Sequence, residues 1–111
     1  MEQSILRTIK PLVNVEPDYP HYDIQLITHI NRALATLTQL GVGPREGFRI
    51  TGDDETWDQF LQGREDLESV KEYVHVRVWI VFDPPANATV MQALKDDIAE
   101  LEFRLNVAVD N

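Results

Sequence analysis

The fold depends on one stretch of sequence, residues 65–85, which reads EDLESVKEYVHVRVWIVFDPP. It is the most apolar part of the chain, and a double proline ends it. At a period of two, one face of the segment consists of β-branched and aromatic residues, which favours a strand. These residues are Val74, Val76, Val78, Ile80 and Phe82. A period of 3.6 favours a helix over residues 66–82, with Asp66 as the N-cap and a stop before Pro84. The apolar side of that helix would contain Val70, Tyr73, Val74, Val78, Val81 and Phe82. These patterns alone leave helix and strand equally open.

Length and composition indicate a single domain over residues 1–111. The chain has no cysteine, which excludes disulfides and thiolate metal sites. No apolar run approaches the roughly 20 residues that span a bilayer, so no membrane partner is expected. The first residues, Met1-Glu2-Gln3-Ser4, lack the features of a signal peptide, which predicts folding in a cytoplasm.

Apolar spacing predicts helices on either side of the first proline-rich linker. A short helix is expected within residues 1–13, fraying or kinking at Pro11. A long helix is expected over about 21–40, with Pro20 in its first turn and Gly41 just after its end. Its apolar stripe consists of Ile24, Ile27, Ile30, Leu34, Leu37 and Leu40.

Two further helices are predicted beyond the glycine-rich loop. A short one over 56–62, capped by Thr56 or Asp54, carries Trp57, Phe60 and Leu61. The last one, over 88–107, begins after an Asn87 or Thr89 cap. Its apolar residues recur every three or four positions, as in helices that pack along another helix, and we call this row the seam. The seam consists of Met91, Leu94, Ile98, Leu101 and Leu105.

The end of this last helix has little wholly polar face. The residues responsible are Phe103, Leu105, Val107 and Val109. A helix that is apolar on several sides must be covered on several sides. The segment is therefore buried either by another chain or by its own domain, and the pattern leaves both open.

The formal net charge is −9, and acidic residues cluster between 53 and 72. The first members of the cluster are Asp53, Asp54, Glu55 and Asp58. Such a surface speaks against binding of DNA phosphates, which needs clustered Lys and Arg. It fits a solvated face, a surface that repels nucleic acid, or one that imitates it.

No motif for catalysis, metal binding or a cofactor appears. His21, His29 and His75 lack metal-ligand spacing, and the glycines at 41, 43 and 47 lack the Lys-Ser/Thr of a phosphate loop. The sequence therefore predicts a protein that is not an enzyme and that needs no cofactor.

The ordered set of short segments resembles the head–tail connector (adaptor) proteins of tailed phages. The early segments are Ser4-Ile5-Leu6, Tyr22-Asp23-Ile24, His29-Ile30-Asn31, Leu40-Gly41-Val42-Gly43, Gly47-Phe48 and Trp57-x-x-Phe60. The most telling ones are Glu68-Ser69-Val70-Lys71-x-Tyr73-Val74, Phe82-Asp83-Pro84-Pro85 and Glu102-Phe103-Arg104-Leu105-Asn106-Val107. Where Phe103 stands, the family usually carries Trp.

The resemblance implies an all-α fold, a small helical bundle, and so favours the helix over residues 66–82. It implies a structural protein of the virion, assembled in the host cytoplasm as a ring of typically twelve copies beneath the portal. Such a ring extends the DNA channel and docks the tail or a head-closure protein, while genomic DNA passes without specific binding. Phe103, Leu105, Val107 and Val109 are then candidates for portal or neighbour contacts. The candidates for a channel-facing or solvated loop are Asp53, Asp54, Glu55 and Asp58.

A second hypothesis rests on the charge cluster alone. An acidic chain can imitate DNA and occupy a host nucleic-acid enzyme. A DNA mimic should bind a basic partner with salt-sensitive affinity, whereas a connector should fractionate with particles.

Overall fold

In the computed structural model, which describes residues 3–64 and 69–110, the chain forms five α-helices. They are α1 (Ile5–Leu12), α2 (Asp23–Gln39), α3 (Trp57–Leu61), α4 (Ser69–Phe82) and α5 (Ala88–Asp110). Within the described residues the only extended pairing is an isolated bridge between Ser4 and Thr56. The predicted all-α bundle is confirmed.

Helix α4 lies at the centre of the bundle and packs against α1, α2 and α5. Its buried residues point in several directions: Val70, Tyr73, Val74, Val76 and Val78. A helix surrounded by three others needs no single apolar stripe, which explains why its sequence also fits a strand. The helical interpretation is confirmed from Ser69 to Phe82, and the strand alternative is wrong. The predicted cap at Asp66 lies outside the described residues.

Helix α2 contributes five buried residues to the core: Leu26, Ile30, Ala33, Leu34 and Leu37. Two predictions for its first turn are wrong. Ile24 is 82% exposed, and Pro20 precedes the helix, since its carbonyl accepts the N–H of Asp23 in a turn outside it. The helix begins later than predicted because residues 19–23 are held in a turn. The Lys10 ammonium on α1 donates hydrogen bonds to the Tyr19 carbonyl and to the Asp23 carboxylate, and these bonds hold the turn.

Helix α3 closes one end of the core with Trp57 and Phe60, both buried. Of the two candidate caps, Thr56 is the one used. Its hydroxyl accepts the N–H of Gln59, and the Gln59 side chain accepts the N–H of Thr56 in return. This reciprocal pair is a capping box.

Helix α5 begins as predicted after Asn87, whose side-chain oxygen accepts the N–H groups of Thr89 and Val90. It runs to Asp110, three residues beyond the predicted end at 107. The predicted seam faces inward, because Leu94, Leu101 and Leu105 are all buried.

Candidate assembly surface

The four apolar candidates at the end of α5 lie on different sides of the helix. Phe103 is 70% exposed and Val107, one turn later, is 43% exposed. Leu105 is 2% exposed and belongs to the subunit's own core, which leaves it no free surface for a partner. Val109 is half-buried and packs against the core beside Gly41. The segment is thus covered on one side by its own domain. Of the four candidates, Phe103 and Val107 are the ones whose side chains are exposed for a contact with the portal or a neighbouring subunit.

Polar bonds between helices fix the rotation of α5 that turns Phe103 outward. The Tyr73 hydroxyl on α4 donates to the Glu102 carboxylate at 2.6 Å. Arg77 donates to the Tyr73 oxygen at 2.7 Å, and its guanidinium lies 3.7 Å from the Glu102 carboxylate. One turn further on, the Asn106 amide donates to the Leu40 carbonyl. Since Glu102 directly precedes Phe103, its attachment to α4 holds the phenyl ring towards solvent.

Burial, together with the bond to Glu102, raises the pKa of Tyr73 to about 12, above the ordinary value of 10.0. The folded protein therefore keeps the phenol proton at pH values where the unfolded chain has lost it. Stability present below pH 10 should be lost as the pH rises towards 12. We expect the unfolding free energy of the Tyr73→Phe protein to fall less steeply between about pH 10 and about pH 12 than that of the unchanged protein.

Urea titrations followed by circular dichroism at several alkaline pH values measure this slope. Tyr19→Phe is the matched control, because Tyr19 is 49% exposed and should leave the slope unchanged. Equal slopes for all three proteins would contradict the role assigned to Tyr73.

The four acidic candidates differ in exposure and in bonding. Asp53, Asp54 and Asp58 are exposed, and Asp53 lies 3.7 Å from the Arg7 guanidinium. Glu55 instead closes its own turn, accepting the N–H and hydroxyl of Thr51 at 3.0 and 2.8 Å. Burial acts to raise the pKa of Glu55, but these hydrogen bonds outweigh it, and the pKa lies below its ordinary value. Glu55 therefore acts as a structural residue of the turn.

An open groove of about 720 Å³ lies between α2 and residues 46–49 and was not anticipated from the sequence. Arg32 and Arg49 both line it, so we call it the arginine groove. Its other lining residues are Thr28, Asn31, Ala35, Thr38, Gln39, Glu46, Gly47 and Phe48. Asn31 holds the loop in place, since its side chain exchanges two hydrogen bonds with the backbone of Ile50.

The arginines at this groove have no ion-pair partner in the part of the chain that the structure describes. Among the described residues no carboxylate, including the nearby Glu46, forms an ion pair with Arg32, with Arg49 or with the adjacent Arg45. Burial, and then the positive charge of Arg32, lower the pKa of His29 one turn earlier. In a chain of net charge −9, three such arginines in one region form a local positive surface.

The described residues contain no group of three His, Asp or Glu side chains placed to hold a metal ion. No helix among them is long and apolar enough to cross a membrane.

Comparison with known proteins adds one finding. The family model described as phage connector protein matches residues 5–111, which is nearly the whole chain. Neither the curated proteins nor the solved structures contain a match. The matched region includes every helix and both exposed apolar residues at the end of α5. The chain therefore belongs to the phage connector protein family.

Proposed function

We propose that this protein is the head–tail connector of a tailed phage, forming a ring beneath the portal. The ring extends the DNA channel and gives the tail or a head-closure protein a surface to dock on. The observation that carries the proposal is the family match over residues 5–111. The protein would assemble in the host cytoplasm and remain in the virion at the head–tail junction.

The exposed side chains on α5 support an assembling protein. Phe103 is 70% exposed although it sits on a well-anchored helix, and Val107 extends its apolar surface by one turn. Large exposed apolar groups that lie together indicate a protein contact. We assign these two residues to portal or neighbour contacts in a ring, typically of twelve copies, that closes through unlike surfaces on adjacent subunits.

The exposed acids suit the wall of a DNA channel. Asp53, Asp54 and Asp58 present carboxylates to solvent, and carboxylates repel phosphates that pass close to them. We propose that this loop faces the channel or the surrounding solvent, so that genomic DNA passes without specific binding.

Phe103→Asp combined with Val107→Asp tests the assignment. Both side chains are exposed, so the double variant should keep the helical spectrum and the unfolding free energy of the unchanged protein. Burying two carboxylates in a contact costs several kcal/mol, so the variant should disappear from purified particles. The measurement is the amount of connector that sediments with particles in a complementation assay.

The matched control is Gln25→Asp with Asn14→Asp, which adds the same two charges at exposed positions outside α5. It should sediment normally. Normal incorporation of the Phe103/Val107 variant would contradict the assignment of these residues. Absence of the unchanged protein from particles, with capture of a basic DNA-binding host protein instead, would favour the DNA-mimic hypothesis.

A further inference from the structure

We propose that the arginine groove of one copy receives the outer face of α5 from the next copy. This inference rests on the proposed ring and names the two surfaces that would join its subunits. It also assigns Phe103 and Val107 to the neighbouring connector subunit.

The outer face of α5 forms one continuous stripe. Asp96, Glu100, Phe103 and Val107 follow one another at steps of four, three and four residues, which places them along one side of a helix. All four are exposed, while Leu101 and Leu105 on the opposite side are buried. We call this set the outer stripe; it is acidic at its beginning and apolar at its end.

The groove has the complementary chemistry. Arg32 and Arg49 offer guanidinium groups that form no ion pair with the carboxylates that the structure describes. Guanidinium groups bind carboxylates well because two parallel N–H bonds can form. Phe48 is half-buried in the same groove and Ala35 is small, so the lining also includes apolar surface. The occupant that fits is a segment with carboxylates beside apolar side chains, as the outer stripe provides.

The lengths of the two surfaces agree. The α2 side of the groove runs from Thr28 to Gln39, and the outer stripe runs from Asp96 to Val107. Each covers eleven helical steps, or about 16 Å at 1.5 Å per residue. A helix laid along the groove would therefore fill it from end to end.

The two surfaces belong to different parts of the subunit. Helix α4 packs against α2 and against α5, and the stripe and the groove lie on the outer helices. A ring needs such a pair of unlike surfaces on each subunit, since a head-to-tail contact repeats until the rotation closes.

The existing pair on the stripe does not prevent this contact. Glu100 accepts a hydrogen bond from Arg104 at 3.0 Å, with the two side chains 58% and 66% exposed. Exposed pairs of this kind contribute little to stability. Glu100 can therefore exchange Arg104 for a groove arginine at small cost.

Cross-linking tests the contact directly, because the chain has no cysteine of its own. We would introduce Ala35→Cys in the groove and Ala99→Cys, beside Glu100 on the exposed side of α5, in one chain. Both positions lie near the middle of their surfaces, so the result does not depend on which way α5 runs. A short bis-maleimide added to purified particles should give a ladder of covalent connector dimers, trimers and larger species.

Each single-cysteine chain is the control and should give no ladder beyond dimers. Particles that contain the double-cysteine connector but yield only monomers, or only cross-links to another particle protein, would overturn the inference while leaving the proposed function in place. Absence of the unchanged protein from particles would overturn both.

Charge reversal gives a second test. Arg32→Glu with Arg49→Glu should reduce incorporation into particles about tenfold or more, since like charges would then face each other. Adding Asp96→Arg and Glu100→Arg restores the original net charge and the attraction, so incorporation should return. If the quadruple variant is not incorporated into particles although both double variants fold, the proposed pairing of groove and stripe is overturned. A loss of affinity for fluorescent duplex DNA in the arginine variant, without cross-linked ladders, would instead assign the groove to DNA.

Discussion

Gly43→Ala is expected to lower the unfolding free energy by about 3 kcal/mol. Gly43 has a φ of +85°, where an L-residue is strained. In addition, a Cβ there would lie 2.5 Å from Cε1 and 2.8 Å from Cζ of Phe60. Phe60 is fully buried and packs edge-on against Phe48, so its ring cannot move aside without disturbing the core. Thermal unfolding should show a melting temperature lower by about 12 °C.

Gly47→Ala is the matched control for this effect. Gly47 has a similar φ of +96°, but a Cβ there would meet no atom within 4 Å. Its substitution should therefore cost only the backbone strain, about 1–2 kcal/mol. The difference between the two variants isolates the clash with Phe60. Equal losses for the two substitutions would show that the ring accommodates the methyl group.

Lys10→Met is expected to cost about 3 kcal/mol of unfolding free energy. The Lys10 side chain is 2% exposed, yet its ammonium donates three hydrogen bonds. They reach the Pro17 carbonyl at 2.9 Å, the Tyr19 carbonyl at 2.7 Å and the Asp23 carboxylate at 2.7 Å. Methionine keeps the length of the side chain but leaves all three acceptors without this donor. Urea unfolding at neutral pH measures the loss.

A double-mutant cycle with Asp23→Asn separates the ion pair from the carbonyl bonds. Asp23 is 32% exposed and can be hydrated when Lys10 is gone, so a large part of the loss should come from the two carbonyls. We expect the two substitutions together to cost less than their sum, because each removes the same pair. Strict additivity would mean that the pair contributes nothing.

The helices themselves were largely predictable from sequence, since spacing and caps are local signals. Thr56 and Asn87 cap helices as their residue types suggest. Helix α4 was the exception, because its three packing partners remove the one-sided pattern on which such predictions depend. Its identity as a helix followed from the family resemblance, and the structure confirms it.

The arrangement of the candidate surfaces could not be predicted in the same way. The apolar character at the end of α5 was visible, but the separation of buried Leu105 from exposed Phe103 depends on how α5 is rotated against α4. That rotation is held by Tyr73 and Arg77, which lie 29 and 25 residues before Glu102 in the sequence. The arginine groove likewise joins Arg32 to Arg49 through a loop conformation that leaves no local signal.

The exposure of Phe103 also affects how free copies behave before they meet a binding partner. A large apolar ring at the surface makes like molecules adhere, whereas a net charge of −9 makes them repel. Salt weakens the repulsion and leaves the adhesion intact. Concentrated stocks of this protein should therefore stay clear at low ionic strength and turn cloudy as electrolyte is added.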